Sequence, residues 1–398
     1  MDKSLKNISL VSVGNIFNAG LGFVFLTMVA KTLSISDFGK YALLTALLVA
    51  VAKITDFGTN SIYVAKSLGE NTSTDLNQFL TLKVILFFLG FFPAFLLLKL
   101  FGISEFQIYL IFFIGYTAYA INFALFGFFQ KLESFIPLIL LNTLPALVKA
   151  VFAILLLFKL VDLNMVQAFM VFAFSIIPSL ILYFWLPSNF RLLKLKLSSA
   201  KELWKQVLLP GTAQLLNEAF SAINGGIAKM SLGFFDLGIF SLADKISNIF
   251  GLVSLSIFTV LLPKNAQLKK TAGKYDFKET YLLAFFILLF AFCVSFAGKI
   301  IIPWFFENKF NDSLQILNVL VFASALGAIH SFMENYFYVA GKANLLAGIA
   351  VWKVFILVIA AGVLIPVYNI AGLAYAQFLA SASTLGLVFY LLRRQQTV

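Results

Sequence analysis

The stretch ISDFGKYALLTALLVAVAKITDFGTNS, residues 35–61, decides the fold of this 398-residue chain. Its middle is a long run of Ala, Leu, Val and Ile, and an Asp-Phe-Gly triplet stands at each end. About 20 apolar residues are enough for a helix to cross the hydrocarbon core of a bilayer. Lys53 and Asp56 lie inside this run, and charges at such a depth usually face a protein interior or a watery cavity. The stretch therefore predicts a membrane helix that borders a wet interior.

The composition of the whole chain also indicates a protein that lies in a lipid bilayer. Hydrophobic residues make up 61% of the sequence and charged residues 12%, whereas soluble domains have about 45–50% and about 25%. Such a chain cannot cover a water-exposed surface with polar groups. One cysteine, Cys293, excludes an internal disulfide. The alternating pattern of membrane strands is absent, so we expect an all-α polytopic membrane protein.

Twelve segments are apolar enough and long enough to cross a membrane. They lie at residues 8–30, 39–65, 79–100, 106–129, 135–158, 164–187, 206–230, 237–262, 281–303, 314–340, 345–365 and 370–392. Because the connections are short, no separate soluble domain is expected. The predicted domains are an N-terminal six-helix bundle, a cytoplasmic linker and a C-terminal six-helix bundle, at residues 1–190, 191–205 and 206–398.

The distribution of Lys and Arg predicts the orientation. If the N-terminus is cytoplasmic, most of the basic residues between spans fall on the cytoplasmic side, as the positive-inside rule requires. Both termini are then cytoplasmic, and we expect a multi-pass protein of the cell inner (cytoplasmic) membrane. The same loops account for much of the formal net charge of +12, so no nucleic-acid partner is expected.

The two halves of the sequence resemble each other. AKTLSISDFGKYALL (30–44) aligns with AKMSLGFFDLGIFSLA (228–243), and an offset of 199 residues places Asp37 over Asp236 and Gly39 over Gly238. Six spans separate the copies, and an even number preserves their orientation in the membrane. The pattern predicts a parallel repeat of two six-helix bundles, an arrangement typical of transporters that work by alternating access.

Charged and amide side chains inside the spans are the candidate site. On the seventh span, Gln214, Asn217, Glu218, Ser221 and Asn224 recur at helical spacing and share one face. The predicted cavity-lining set is Lys149, Lys353, Lys53, Lys245, Asn15, Asn18, Gln214, Asn217, Ser221 and Asn224. The candidates for ion coupling are Glu218, Glu334, Asp244, Asp56 and His330. The alternative is that these groups only pair with one another between helices, with Lys53 and Asp56 as the expected pair.

A family resemblance adds a substrate. KNISLVSVGNIFNAGLGFVFLTMVAKTLSISDFGKYALLTALLVAVAKITDFGTNSIYVAKSL (6–68) resembles the start of the Wzx-type polysaccharide flippases. The likeness lies in K-N near the start, A-K-x-L before S-D-F-G-x-Y-A, and D-F-G after the second span. These proteins belong to the exporter superfamily that also contains multidrug and toxic-compound extruders.

The resemblance implies a flippase for undecaprenyl-diphosphate-linked oligosaccharide. Such a protein moves its substrate from the cytoplasmic to the outer leaflet for cell-surface polysaccharide such as O-antigen. For such a substrate, Lys149 and Lys353, which lie at similar depth in the two half-repeats, are the lysines expected to attract the diphosphate. Coupling to H⁺, coupling to Na⁺ and transport without a coupling ion remain open. The expected partners are the bilayer, the lipid-linked substrate and polysaccharide assembly proteins, without a cofactor or a metal.

Two other functions compete with this one. A multidrug efflux antiporter of the same fold is the nearer alternative, and it would favour an acidic cavity for organic cations. A membrane enzyme is not expected, because the sequence has no catalytic motif and its single histidine lies within a span. The Asp-Phe-Gly triplet at residues 37–39 also lacks the companion motifs of a kinase. We interpret it as a helix-entry turn, with Ser36 or Asp37 capping the second span.

Overall fold

The computed structural model describes residues 3–66, 72–188, 197–248, 277–339 and 342–396. These residues form helices and contain no strand, so the all-α fold class is confirmed. A 3-10 helix, Ile177–Trp185, follows the seventh α-helix. The α-helices are α1 Lys3–Thr32, α2 Ile35–Asp56, α3 Thr59–Lys66, α4 Thr72–Leu100, α5 Phe106–Lys131, α6 Phe135–Leu157, α7 Met165–Phe174, α8 Leu197–Ser231, α9 Phe234–Ser247, α10 Phe277–Phe306, α11 Ser313–Val339 and α12 Ala343–Gln396.

The helices agree with the twelve predicted spans. Within the described residues, eight helical segments are long and apolar enough to cross a membrane, and the last of them covers Asn344–Arg394. Asn369 breaks that segment with a non-helical backbone (φ 51°, ψ −130°), between the predicted spans 345–365 and 370–392. Helices α1, α8 and α9 supply the remaining three. The part of the eighth span beyond residue 248 lies outside the described residues.

The start of α2 is capped two to three residues earlier than the sequence suggested. The Ser34 hydroxyl accepts a hydrogen bond from the Asp37 backbone N–H at 3.1 Å and donates to the Asp37 carboxylate at 2.7 Å. The cap is therefore Ser34, and the prediction of Ser36 or Asp37 is wrong. Ser34 satisfies the orphan N–H of the first turn, and Asp37 places a negative charge at the positive end of the helix.

The second Asp-Phe-Gly triplet interrupts the span that was predicted as one helix. Phe57 (φ 33°) and Gly58 (φ 70°) both have positive φ, and α2 ends at Asp56. A β-carbon at position 58 would also press against the backbone of Gly211 on α8. The break thus requires glycine both for its conformation and for the close approach of α8.

The chain divides into two compact units. Unit 1 comprises Met1–Leu33 and Tyr41–Ile223, and unit 2 comprises Ser34–Lys40 and Asn224–Val398. The predicted boundaries at 190 and 206 stay a prediction, and residues 191–196 of the predicted linker lie outside the described residues.

In unit 1, α1 packs along α6, and α5 packs against α7 and α3. An aromatic core joins α3, α4 and α5, where Tyr63 stacks on Phe79 at 4.1 Å between ring centroids and Phe128 contacts both rings edge-on. On the other side of α4, Phe88, Phe92 and Phe95 are exposed. Large apolar side chains exposed along one face of a helix are expected where that face meets lipid.

In unit 2, α11 is the central helix and packs against α9, α10 and α12. The hydroxyl of Ser313, the first residue of α11, donates to the Ile239 carbonyl of α9 at 2.8 Å. Phe310 is buried and meets Phe38 and Phe306 edge-on at 5.7 and 5.2 Å. Phe38 comes from the first Asp-Phe-Gly triplet, so the start of α2 belongs to the core of unit 2.

The two repeat-related glycines contact each other reciprocally within unit 2. A β-carbon at Gly39 would overlap the Phe234 carbonyl, and a β-carbon at Gly238 would overlap the Ile35 carbonyl. The 199-residue offset relates Ile35 to Phe234 and Gly39 to Gly238. Each copy therefore places its glycine against the same backbone atom of the other copy, as a local two-fold relation requires.

Candidate functional site

A network of charged and amide groups lies at the end of α2 in unit 1. The Asp56 carboxylate is buried and accepts from Lys83 Nζ of α4 at 3.1 Å. Its second oxygen accepts from Gln214 Nε2 of α8 at 3.0 Å. The Asn60 backbone N–H lies 3.4 Å from the first oxygen. Asp56 thus connects the end of α2 with α3, α4 and α8 through one carboxylate.

Lys53 pairs with a different acid. Its Nζ lies 3.3 Å from Glu218 Oε1 of α8 and 4.6 Å from the centre of the Phe123 ring. The expected Lys53–Asp56 pair is therefore wrong as the main contact, although Lys53 remains within electrostatic range of Asp56. The geometric reason is that Asp56, at the end of α2, faces Lys83 and Gln214.

The two ion pairs differ in their access to solvent. The side chains of Lys83 and Asp56 are 6% and 7% exposed, whereas those of Lys53 and Glu218 are 17% and 43% exposed. Exposed pairs typically contribute about 0–1 kcal/mol to stability. Removing one partner of a buried pair costs about 3–5 kcal/mol, because the other charge stays buried alone. Lys83–Asp56, the buried pair, is a fixed structural element, and Lys53–Glu218, the accessible pair, can separate at little cost.

Lys83 was not among the predicted site residues. The sequence placed it inside the third predicted span, where a lysine needs a partner. That signal was present, but α4 offered no acid at helical spacing from Lys83 that would have revealed the partner.

Lys149 of α6 lies over an aromatic ring. Its Nζ lies 4.3 Å above the centre of the Phe172 ring. Tyr41 and Tyr119 each contact the same ring, at 6.3 Å between centroids. Within the described residues, no carboxylate forms an ion pair with Lys149. A lysine that contacts an aromatic face and has no carboxylate partner keeps its charge available for an anionic ligand.

Unit 2 contains a second buried set of charges. His330 Nδ1 lies 3.1 Å from Glu334 Oε1, one turn away on α11, and both side chains are buried. Lys353 of α12 lies within electrostatic range of Glu334. His330 Nε2 is buried and has no hydrogen-bond partner among the described residues. The set thus combines one acid, one lysine and one imidazole that can exchange a proton.

Asp244 is the buried acid of α9. One carboxylate oxygen accepts from Asn248 Nδ2 at 3.0 Å, and the other lies 3.4 Å from Gln377 Nε2 of α12. One turn along, the Ser324 hydroxyl of α11 donates to the Ser247 hydroxyl at 3.1 Å. These contacts tie α9 to both of its neighbours through polar groups, so Asp244 has at least an interhelical role.

The other predicted site residues are spread over α1, α8 and α9. Asn18 and Asn224 have side-chain amides that are buried without a hydrogen-bond partner in the described part of the chain. Asn217 is exposed, and Ser221 and Lys245 are half-buried. The Asn15 side chain lies outside the described residues. Their role as cavity lining stays a prediction.

Outside the spans, a like-charge pair lies beside the start of α9. Burial raises the pKa of the Asp236 carboxyl above its ordinary value, and repulsion from Asp312 raises it further. Burial also lowers the pKa of Lys309 in the connection between α10 and α11.

Comparison with known proteins gives one family and one fold. The family described as polysaccharide biosynthesis protein matches residues 4–269. The capsular polysaccharide biosynthesis protein CapF of Staphylococcus aureus is 25% identical over 398 residues, which cover 95% of this chain and 98% of CapF.

Solved transporter structures share the fold. The lipid II flippase MurJ, in an inward closed conformation, superposes with a TM-score of 0.76 at 14% identity over 96% of this chain and 87% of MurJ. An inward-facing multidrug resistance MATE transporter of the MOP superfamily gives a TM-score of 0.69 at 13% identity, over 97% of this chain and 98% of the transporter. The fold is therefore that of multi-pass membrane transporters.

Proposed function

Because the chain belongs to the polysaccharide biosynthesis protein family, we propose that it is a flippase for a lipid-linked oligosaccharide carried on a diphosphate. It takes the substrate from the cytoplasmic leaflet and delivers it to the outer leaflet by alternating access. Undecaprenyl diphosphate is the proposed lipid carrier. Its location is the inner membrane, with both termini cytoplasmic.

Lys149 carries this proposal. A diphosphate brings at least two negative charges, and moving it unaided through hydrocarbon has a prohibitive cost. The path therefore needs a cation that is not already neutralised, and Lys149 stands on the Phe172 ring without a carboxylate partner in the described residues. Lys353, the other predicted phosphate-attracting lysine, provides a second cation in unit 2.

The test replaces Lys149 in the cell that makes the polysaccharide. In a strain that carries only the variant gene, Lys149→Met should lower surface polysaccharide at least about tenfold, as expected for loss of a charge-assisted contact. Lipid-linked intermediates should accumulate, and Lys149→Arg should restore part of the display. Immunoblotting of membranes checks that the amount of protein is unchanged.

Lys229→Met is the matched control. Lys229 also stands over a phenylalanine, with its Nζ 4.6 Å from the centre of the Phe234 ring, but it lies at the end of α8. We expect normal display from this variant. Normal display from a well-expressed Lys149→Ala, Lys353→Ala double variant would contradict the proposal.

Proton coupling through Glu334 is proposed for the same cycle. His330 and Lys353 lie near this acid in unit 2, so a change in its protonation alters the charge balance of the three groups. Glu334→Gln should remove the pH dependence of transport in proteoliposomes. Unchanged transport in a sodium gradient without a proton gradient would instead assign coupling to Na⁺.

The second candidate is export of lipophilic cations, which the shared fold with a MATE transporter favours. A strain without the gene would then lose resistance to such cations and keep normal surface polysaccharide. The flippase proposal requires the opposite pair of results. The uncompensated positive charge of Lys149 argues against a cationic substrate.

A further inference from the structure

The accessible pair of unit 1 has fewer contacts than the buried pair beside it. Asp56 is held by Lys83, Gln214 and the Asn60 backbone, so its charge is balanced without Lys53. Lys53 has Glu218 as its closest acid at 3.3 Å and otherwise rests on the Phe123 ring. One contact therefore decides whether the Lys53 charge is free.

That contact is open to competition. Glu218 has 43% of its side chain exposed, so an anion can approach the pair from the same side as its carboxylate. A carboxylate offers one negative charge to the ammonium, whereas a diphosphate offers at least two and more acceptor oxygens. In the partly exposed setting of Lys53, the group with the higher charge makes the stronger contact.

The neighbouring contacts fix what remains when Glu218 leaves. Gln214 lies one turn before Glu218 on α8 and stays bound to Asp56 at 3.0 Å. The backbone of α8 also stays in place at Gly211, against Phe57 and Gly58. Displacement of Glu218 therefore removes one link between α2 and α8 without dismantling their contact.

The geometry points to Glu218 as a resident competitor that occupies the substrate's anion site on Lys53 until a lipid diphosphate displaces it. This inference rests on the proposed function and adds Lys53 to Lys149 and Lys353 as a phosphate-binding lysine. In the empty transporter, Glu218 neutralises Lys53 and excludes weakly charged anions. A lipid that carries a diphosphate outcompetes the carboxylate, and a lipid with a single phosphate competes less well.

The test measures binding to the purified full-length protein in lipid nanodiscs. The probes are farnesyl diphosphate, farnesyl monophosphate and inorganic pyrophosphate, and the readout is the dissociation constant by isothermal titration calorimetry. Glu218→Gln removes the competing charge and keeps the size of the side chain. It should tighten farnesyl diphosphate binding about fivefold, the factor expected for releasing an exposed ion pair. Lys53→Gln should weaken it more than about tenfold.

The double variant separates competition from a general effect of charge. In a Lys53→Gln background, Glu218→Gln should produce no further tightening, because the lysine for which the two anions compete is gone. Asp162→Asn, which removes an exposed acid between α6 and α7 in unit 1, should leave the dissociation constant unchanged. Equal tightening by Asp162→Asn, or tightening that persists without Lys53, overturns the inference.

The outcomes also separate this inference from the proposed function. If the wild-type protein binds none of the three probes, the diphosphate flippase itself is contradicted. If it binds farnesyl diphosphate but Glu218→Gln fails to tighten binding, only the competitor role of Glu218 is overturned. Inorganic pyrophosphate that binds as tightly as farnesyl diphosphate overturns the assignment to a lipid substrate. Size-exclusion chromatography checks that each variant is folded. If Lys53→Gln does not fold, Lys53→Arg replaces it; this variant keeps the positive charge and should retain farnesyl diphosphate binding.

Discussion

Replacing Lys83 by Met tests whether the buried pair is a fixed structural element. Both side chains of this pair are less than a tenth exposed, and Lys83 Nζ lies 3.1 Å from Asp56. Lys83→Met leaves the Asp56 carboxylate buried without its cation, which should lower the free energy of unfolding by about 3–5 kcal/mol. Lys53→Met removes the cation of the accessible pair and should cost about 0–1 kcal/mol. Two lysine-to-methionine changes at the same helix junction thus have sharply different predicted costs.

The assay is unfolding of the purified protein in mixed micelles of increasing SDS fraction, followed by tryptophan fluorescence. A third variant, Lys83→Met with Asp56→Asn, removes both charges and should recover most of the lost stability, because no buried charge then remains unpaired. If Lys83→Met were no more destabilising than Lys53→Met, the assignment of a structural pair and an exchangeable pair would be refuted.

Three further predictions concern a backbone contact of unit 2, the cap of α7 and the acid pair near the start of α9. Gly39→Val should destabilise unit 2 and reduce the amount of folded protein in membranes, because a β-carbon at position 39 overlaps a neighbouring carbonyl. A β-carbon at position 348 meets open space, so the control Gly348→Val should be tolerated. Fluorescence-detected size-exclusion chromatography compares the amounts of the two folded variants. Asn164→Ala removes the capping box of α7 and should cost about 1 kcal/mol in the same SDS unfolding assay. The pKa of Asp236 is raised in the folded protein by burial and by Asp312. The Asp236 carboxylate therefore binds a proton more readily in the native protein than in the unfolded chain, and its negative charge destabilises the folded state at neutral pH. The Asp236→Asn variant should therefore be more stable than the wild type at pH 7. This difference in stability should shrink as the pH falls through the raised pKa toward about 4. If the variant and the wild type had the same unfolding midpoint at pH 7 as well as at pH 4, the prediction would be contradicted.

The sequence predicted the helices well, because crossing a bilayer is a local property of about 20 consecutive residues. The break at Asn369 falls in the gap between two predicted spans for the same reason. The break at Phe57 and Gly58 falls inside the segment 39–65, which the sequence predicts as one continuous span. A single glycine in an apolar run does not by itself indicate a break, and the close approach of Gly211 that completes the reason comes from a distant helix.

The partners of the charged side chains inside the spans could not be predicted from the local sequence. Lys53 and Asp56 are one helical turn apart, which made a local pair the natural expectation. In the structure each takes a partner from another helix, Glu218 from α8 and Lys83 from α4. The sequence predicts that buried charges need partners, but the choice between a local partner and a distant one depends on where a helix ends and which neighbour reaches that end.

The internal repeat predicts contacts of the backbone but does not predict the positions of the charged side chains. The 199-residue offset that relates Gly39 to Gly238 also relates Ile35 to Phe234, and the structure contains the reciprocal contact that this relation requires. The charged network of unit 1 does not follow the offset. The positions that correspond to Lys53, Asp56, Lys83 and Glu218 are Leu252, Leu255, Leu282 and Ala19. Two copies of one scaffold thus carry different charges, so repeat symmetry identifies the backbone contacts between the copies and cannot locate the substrate site. The candidate cations for the proposed substrate must therefore be chosen from their contacts: in the described part of unit 1, Lys149 has no carboxylate partner and Lys53 has only the accessible pair with Glu218.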